Sequence, residues 1–196
     1  MKLINVAMAV GLILTITMSL AGFGRESSTI RENILRLHVL ANSNSEEDQA
    51  LKLRVRDSLL QTGMFNYAMT RDEAYDLAVD SKDIIKNIAA EEIEEGGHEY
   101  DVQVSVIEAF FPTVEYDMLT LPAGRYKTVR VEIGAAYGDN WWCVMFPSMC
   151  LPAAAERGFS DVLNERQMDI VNNAHRYEFR FRSVEIFESL RERFRR

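Results

Sequence analysis

The chain has 196 residues, 47% of them hydrophobic, with 30 acidic and 22 basic side chains and a formal net charge of -8. This composition is typical of a globular protein with one hydrophobic core. The acidic balance argues against a nucleic-acid partner, because a basic surface supplies most of the affinity for phosphate backbones. Arginines cluster near the end of the sequence, but glutamates are interleaved with them, which predicts a solvated, salt-bridged segment. The arginines are Arg176, Arg180, Arg182, Arg191, Arg193, Arg195 and Arg196, and the glutamates are Glu178, Glu185, Glu188 and Glu192.

The N-terminus carries an apolar run that is typical of an export signal. Residues 6–20 contain no charged side chain, and Ser19 and Ala21 place small residues at both positions that a signal peptidase reads. We therefore predict export, with residues 1–21 either a cleaved signal peptide or, because the run nearly reaches a membrane-spanning length, a retained anchor. Residues 22–29 are predicted to be a short linker, and residues 30–196 a single domain.

A strand followed by a capped helix is predicted at the start of this domain. Residues 34–40 alternate, with apolar side chains on one face and Arg36 and His38 on an outward face. The segment from Asn42 to Asp48 is rich in capping side chains and in acids, which favour a helix N-terminus. A helix over residues 45–62 follows from this cap.

A long amphipathic helix and two more strands are predicted next. Thr70 to Glu73 forms a capping box, and apolar residues follow at three- and four-residue spacing over residues 70–96. Residues 100–106 and 126–134 alternate as strands, and the Leu121 to Gly124 turn precedes the second of them.

The segment from Asn140 to Cys150 holds both tryptophans and both cysteines of the chain. It predicts a third strand, and the loops joining these three strands are too short for crossover helices, which favours antiparallel pairing. One indole is expected to be buried while the other covers the opposite face. A compatible alternative is that the outward indole and Phe146 anchor a partner, because large aromatic side chains dominate interface hot spots.

The end of the chain predicts one more strand and a helix. Residues 177–182 alternate between aromatic side chains at odd positions and charged side chains at even positions, and Ser183 can cap a final helix. The predicted fold class is therefore α+β. It consists of an antiparallel sheet of four or five strands, with the helices near 45–62 and 70–96 packed on one face, plus a C-terminal helix.

The search for catalytic and metal-binding motifs gives no strong candidate. His38, His98 and His175 are isolated from one another and from any Cys/His metal spacing, so neither a metal nor a cofactor is predicted. An exported hydrolase with Cys143 as nucleophile and His38 or His175 as base is an alternative. Apolar flanks disfavour it, because they raise the pKa of a thiol.

The two cysteines lie seven positions apart, on either side of Pro147. In an exported protein this spacing allows a Cys143 to Cys150 disulfide, which a turn could close. Two buried free thiols are the alternative.

Five sequence blocks and one cysteine carry a family resemblance. They are Leu35 to Ser43, Glu47 to Asp57, Phe111 to Thr113, Leu121 to Tyr126, and Asn140 to Pro147 with Cys150 after it. In order and spacing, from about residue 33 to 150, these blocks resemble the stage II sporulation protein R family, with a weaker echo at Phe179 to Glu185. Residues 116–119 and 152–175 depart from the resemblance, so no function is assigned to them.

The resemblance implies a non-enzymatic signalling protein of endospore-forming Firmicutes. Such a protein is made in the forespore, secreted into the intermembrane space between forespore and mother cell, and required for a membrane-embedded aspartic protease to process pro-sigma-E. The resemblance transfers no catalytic residue. The expected partner is that sporulation sigma-E factor-processing protease, with no nucleic acid and with membrane contact only through the N-terminal segment.

The candidate partner-binding residues are exposed polar and aromatic side chains on the predicted strands and on the cap loop. For each of them a purely structural role is the alternative. A membrane-anchored structural protein of the envelope is a further alternative for the whole chain. The candidates are Arg36, His38, Asn42, Asp48, Trp141, Trp142 and Phe146.

Overall fold

The computed structural model describes residues 2–148 and 158–195, and these residues form two compact units. The sheet unit comprises residues 32–109, 125–148 and 158–164, and the helical unit comprises residues 2–31, 110–124 and 165–195. In chain order the elements are α1 (Lys2–Glu32), β1 (Leu35–Leu40), α2 (Glu46–Gln61), α3 (Arg71–Asp80), α4 (Lys82–Glu95), β2 (Val102–Phe111), β3 (Val114–Glu115), β4 (Thr120–Leu121), β5 (Gly124–Ile133), β6 (Asn140–Phe146), α5 (Phe159–Val162), α6 (Glu165–Asn172), a 3-10 helix (Ala174–Arg176) and α7 (Glu178–Arg193).

The sheet unit is built on four strands in the order β2-β5-β1-β6. Strand β1 runs parallel to β5 and antiparallel to β6, so the sheet is mixed. The α+β class and the mostly antiparallel sheet are confirmed. The expected direct pairing of β5 with β6 is wrong, because β1 lies between them. Strand β2 also continues to Phe111, beyond the predicted end at residue 106.

The helices of the sheet unit pack on one face of this sheet, as predicted. The Ser45 Oγ accepts the Asp48 backbone N–H at 3.2 Å and caps α2. The predicted helix over 70–96 is divided at the buried Ser81, which ends α3 and begins α4. Backbone hydrogen bonds continue across Ser81, since its N–H donates to Leu77 and its carbonyl accepts from Ile85.

The hydrophobic core lies between α2, α3, α4 and the inner face of the sheet. Each helix contributes apolar residues at helical spacing, and each strand contributes alternate residues, as the two periodicities require. The core residues include Leu51, Val55 and Leu59 of α2, Ala74 and Ala78 of α3, Ile85, Ala89 and Ile93 of α4, and Leu37, Val39, Val129, Val131 and Cys143 of the sheet.

The helical unit is organised around the second half of α1. Phe23 stacks on Tyr177 with ring centroids 5.8 Å apart and meets the edge of Phe181 at 5.2 Å. Ser27 and Ile30 are also fully buried. Residues 22–29, predicted as a short linker, are part of α1. The wider division into residues 1–21, 22–29 and 30–196 stays a prediction.

The strand predicted at residues 177–182 is wrong, because residues 178–193 form α7. In a strand Phe179 and Phe181 would share one face. Phe181 is instead 5% exposed and Phe179 is 73% exposed. Ser183 lies inside the helix, where its Oγ donates to the Phe179 carbonyl rather than capping.

Among the described residues, α1 is the one helix that is long and apolar enough to cross a membrane, judged by length and composition. A signal sequence passes the same test. The side chains from Leu3 to Met18 are exposed, and burial begins around Leu20. This agrees with an export segment that precedes the packed part of the helix.

Candidate partner-binding site

The face of the sheet opposite α2, α3 and α4 carries a polar and aromatic surface, here named the outer face. The strand register places His38 of β1 directly between Arg130 of β5 and Trp142 of β6. Glu132 and Asn140 lie two register positions further along, on either side of Leu40. Of these five outer-face residues, Asn140 is exposed and the other four are half-buried.

His38 is at the centre of the outer face. Its Nε2 donates to the Asn140 Oδ1 at 2.6 Å, and its ring meets the Trp142 ring edge-on at 6.2 Å. Burial lowers the pKa of His38, and the charges of Arg130 and Arg36 lower it further, against the opposing effect of the Asn140 hydrogen bond. His38 therefore favours its neutral form, which can both donate and accept a hydrogen bond.

Arg130 and Glu132 form an ion pair beside His38. The Arg130 Nη2 lies 2.8 Å from the Glu132 Oε1, and the two side chains keep 34% and 26% of their surface exposed. The outer face thus combines an indole, a neutral imidazole and a compensated charge pair. Such a surface suits protein recognition by aromatic contact and hydrogen bonding.

Two candidates from the sequence are not on an open surface. Arg36 is fully buried, with its guanidinium 5.0 Å from the centre of the Tyr126 ring. By strand alternation Arg36 lies on the same side of β1 as His38, but its predicted exposure is wrong, because this end of that side is buried together with Tyr126, Thr128 and Val144. Phe146 is 2% exposed and belongs to the hydrophobic core, so it offers no anchor for a partner.

The two tryptophans lie on opposite faces of the sheet, as adjacent residues of a strand must. Trp141 is half-buried against the core, and the Arg56 guanidinium of α2 stacks over it at 4.4 Å from the ring centre. Trp142 lies on the outer face beside His38. Trp142 is therefore the aromatic candidate that remains for partner contact.

The cap loop between β1 and α2 is held by the buried Asp48, which is 4% exposed. Asp48 accepts hydrogen bonds from the Asn42 Nδ2 at 2.9 Å and the Ser43 Oγ at 2.5 Å. Burial opposes ionisation of Asp48, but the hydrogen bonds from Ser43, Asn42, Tyr100 and Ser45 outweigh it and lower the pKa of this carboxyl. Asp48 thus organises the loop.

The same loop clamps the turn between β5 and β6. The Asn42 Oδ1 accepts the Ala135 N–H at 3.0 Å, and the Asn44 Oδ1 accepts the Asp139 N–H at 2.6 Å. The buried Lys52 donates to the Asp139 carbonyl at 2.9 Å. Gly134, at φ +56°, leaves no room for a Cβ, which would lie 2.4 Å from the Asn42 Oδ1. Asn42 and Asp48 are therefore explained structurally.

Cys143 lies on the inner face and is fully buried, whereas His38 lies on the outer face. The sheet therefore separates the thiol position from the base proposed for it, which argues against a Cys143–His38 pair. Cys143 is disulfide-bonded. Cys150 lies outside the described residues, so the predicted Cys143 to Cys150 pairing stays a prediction.

Sequence reasoning missed Arg130, Glu132 and Asn140 as neighbours of His38. The alternation of β5 does place Arg130 and Glu132 on one face, but only the strand order brings that face beside His38 and Trp142. Within the described ranges, 2–148 and 158–195, no group of three His, Cys, Asp or Glu side chains is arranged to hold a metal ion.

Comparison with known families identifies a sporulation protein. The sequence model of the family "Stage II sporulation protein R" matches residues 31–156. The chain belongs to this family. The match contains β1, α2, the β2–β6 strands and hence the whole outer face, while most of α1 and all of α7 lie outside it.

A curated relative supports the same assignment. The chain is 35% identical over 123 residues to Stage II sporulation protein R of Bacillus subtilis (strain 168), a stretch that covers 62% of this chain and 55% of that protein. The chain thus spans little more than half the length of the relative it matches. No solved structure matches this chain.

Proposed function

We propose that this protein is an exported signal that switches on a membrane-embedded aspartic protease, which then processes pro-sigma-E. The observation that carries the proposal is the family match over residues 31–156. The apolar first half of α1 supports export from the forespore into the space between the two membranes. A protein partner, rather than a substrate, is in keeping with a site made of aromatic and hydrogen-bonding side chains.

The outer face is the surface we assign to the protease. A trigger must bind the active state of its target more tightly than the inactive state, since a ligand that binds both equally shifts nothing. Trp142 provides a rigid apolar contact, and His38, Asn140 and Arg130 provide hydrogen bonds around it. Trp142 lies on the edge strand β6 with these polar groups beside it, and an aromatic side chain next to hydrogen-bonding groups is typical of interface hot spots.

The test is reconstitution of the protease and pro-sigma-E in membranes, with this chain added from outside. Processing should begin on addition of the chain. Trp142→Ala should raise the concentration needed for half-maximal processing by about 30-fold, equivalent to a hot spot of about 2 kcal/mol. Tyr67→Ala is the matched control, because Tyr67 is a 77% exposed aromatic residue of the same unit, away from the outer face.

Circular dichroism and thermal melting must show that the Trp142→Ala variant is folded. Normal processing by the folded variant would place the contact elsewhere. Processing that proceeds equally well without the chain would reject the proposed function itself.

A further inference from the structure

Helix α7 exposes a continuous apolar stripe. At 3.6 residues per turn, its five members fall within about 100° of the helix circumference. The opposite side of α7 is buried through Phe181 and Glu188. Exposed apolar patches of this kind mark sites of protein or membrane contact. The stripe consists of Phe179, Ile186, Phe187, Leu190 and Phe194, which are 73%, 56%, 63%, 49% and 88% exposed.

The charged residues of α7 are sorted around this stripe. Helical geometry places Arg180 and Arg191 along one border, Arg182 and Arg193 along the other, and Glu178, Glu185 and Glu192 on the far side. The arginines are therefore separated in space from these three glutamates, although they are interleaved with them in the sequence; the buried Glu188 is the exception, since it lies 3.8 Å from Arg191. Arginines on both borders suit a helix in a lipid headgroup layer, where they reach phosphates while apolar side chains enter the acyl boundary. A helix-pairing seam would carry acids beside the stripe as well.

The stripe lies next to the place where the apolar run of α1 ends. Leu20 and Gly24 of α1 line a cavity of about 370 Å³ together with Val184 and Phe187 of α7. On the N-terminal side of Leu20, the side chains of α1 from Leu3 to Met18 are exposed and mostly apolar. If that run enters a bilayer, Phe187 lies at the depth where α1 emerges from the hydrocarbon.

A buried ion pair fixes α7 against α1 at this level. The Arg31 Nη2 lies 3.1 Å from the Glu188 Oε1, with both side chains 10% exposed. Phe23 adds its ring contacts with Tyr177 and Phe181. All these contacts lie at or beyond residue 22, so they survive cleavage after Ala21.

We propose that α7 is a second membrane contact, which lies in the headgroup layer of a bilayer containing anionic lipid. Phe187, Leu190 and Phe194 enter the acyl boundary, and the four bordering arginines bind lipid phosphates. The contact holds the helical unit on the membrane surface, with or without residues 1–21. The proposal does not depend on the proposed protease partner. It differs from the expectation, drawn from the sequence, that only the N-terminal segment meets the membrane.

The test places a polarity-sensitive fluorophore on α7 of the full chain. Phe194→Cys carries the probe on the stripe, and Ser189→Cys carries it at an exposed position outside the Arg182 and Arg193 border, about 110° from the centre of the stripe, as the matched control. Labelling is done without reductant because Cys143 is disulfide-bonded, and the unsubstituted chain serves as the blank. Each protein is reconstituted in vesicles of phosphatidylcholine with phosphatidylglycerol, and quenching by nitroxide-labelled lipid is measured.

We expect roughly threefold or more stronger quenching at position 194 than at position 189, with a blue-shifted emission, because an interfacial helix buries only its apolar side. The double variant R182Q/R193Q should lower the affinity for phosphatidylglycerol, measured from how the quenching rises with the fraction of this lipid, by about fivefold for each arginine. Equal quenching at both positions would overturn the proposal. So would a probe at position 194 that escapes lipid quenching but is shielded as protein concentration rises, since a second copy of the chain would then cover the stripe.

Discussion

Replacing Asp48 by Asn should destabilise the protein substantially. Asp48 is 4% exposed and accepts hydrogen bonds from the side chains of Asn42 and Ser43. Asparagine keeps one acceptor oxygen but turns an NH₂ group toward one of these donors. A hydrogen bond to a charged group contributes about 1.5 to 3 kcal/mol, so we expect a loss of about 2 to 3 kcal/mol in the free energy of unfolding. For a chain of this size the midpoint should fall by about 5 to 10 °C.

The pH dependence of stability provides a second test of the role of Asp48. The pKa of Asp48 is lowered on folding, so its contribution is fully present above its ordinary pKa and is lost as pH falls through the folded-state pKa. The stability difference between wild type and Asp48→Asn should therefore shrink on acidification. Thermal melts at a series of pH values measure both effects.

The matched control is Glu47→Gln, which changes an exposed acid in the same first turn of α2. Its loss should stay below about 1 kcal/mol, the usual size of a helix-dipole interaction. A variant Asp48→Asn that melts like wild type, or a difference that does not change with pH, would refute the view that Asp48 is a structural organiser. Asp48 would then return as a contact candidate.

Two further perturbations test other parts of the structure. Burial lowers the pKa of His38, so the unfolded state binds more protons between the folded-state pKa and about 6.5, and stability should fall as pH drops through that window. His38→Gln should remove this slope from a melting series run between about pH 8 and pH 5; an unchanged slope would assign it to another group. Gly124→Ala should cost about 3 kcal/mol, because φ is +143° and the added Cβ would lie 2.7 Å from the Arg31 side chain. Gly97→Ala, at φ +77° in open space, is its control and should cost about 1 kcal/mol; equal losses would contradict the steric argument.

Local signals predicted the elements whose determinants are close in sequence. The Ser45 cap and the acids after it set the start of α2, because a cap acts within one helical turn. The alternation in β5 correctly placed Val129 and Val131 in the core and Arg130 on the other face. The sequence blocks that resemble the family were also identified without the structure.

The end of the chain shows where such signals are ambiguous. The alternation at residues 177–182 fits a strand. It is also compatible with a helix in which Phe181 is buried and Phe179 is exposed. Phe23 supplies the contact with Phe181 that selects the helix, and Phe23 is more than 150 residues away in sequence. The local sequence pattern therefore cannot predict the contact between Phe23 and Phe181.

The sequence by itself determined the apolar N-terminal segment, the α+β composition, the capped helices and the family, because each depends on composition or on neighbours within a few turns. Only the tertiary structure decided which side chains share a surface. The strand order β5-β1-β6 places His38 between Arg130 and Trp142, and the register of β1 with β6 puts Cys143 on the face opposite His38. The folded structure also buries Arg36. The folding of residues 178–193 as a helix places four arginines beside the apolar stripe and Glu178, Glu185 and Glu192 on the far side. Both outcomes depend on contacts between segments that are far apart in the sequence. A local hydrophobic pattern carries no information about such contacts.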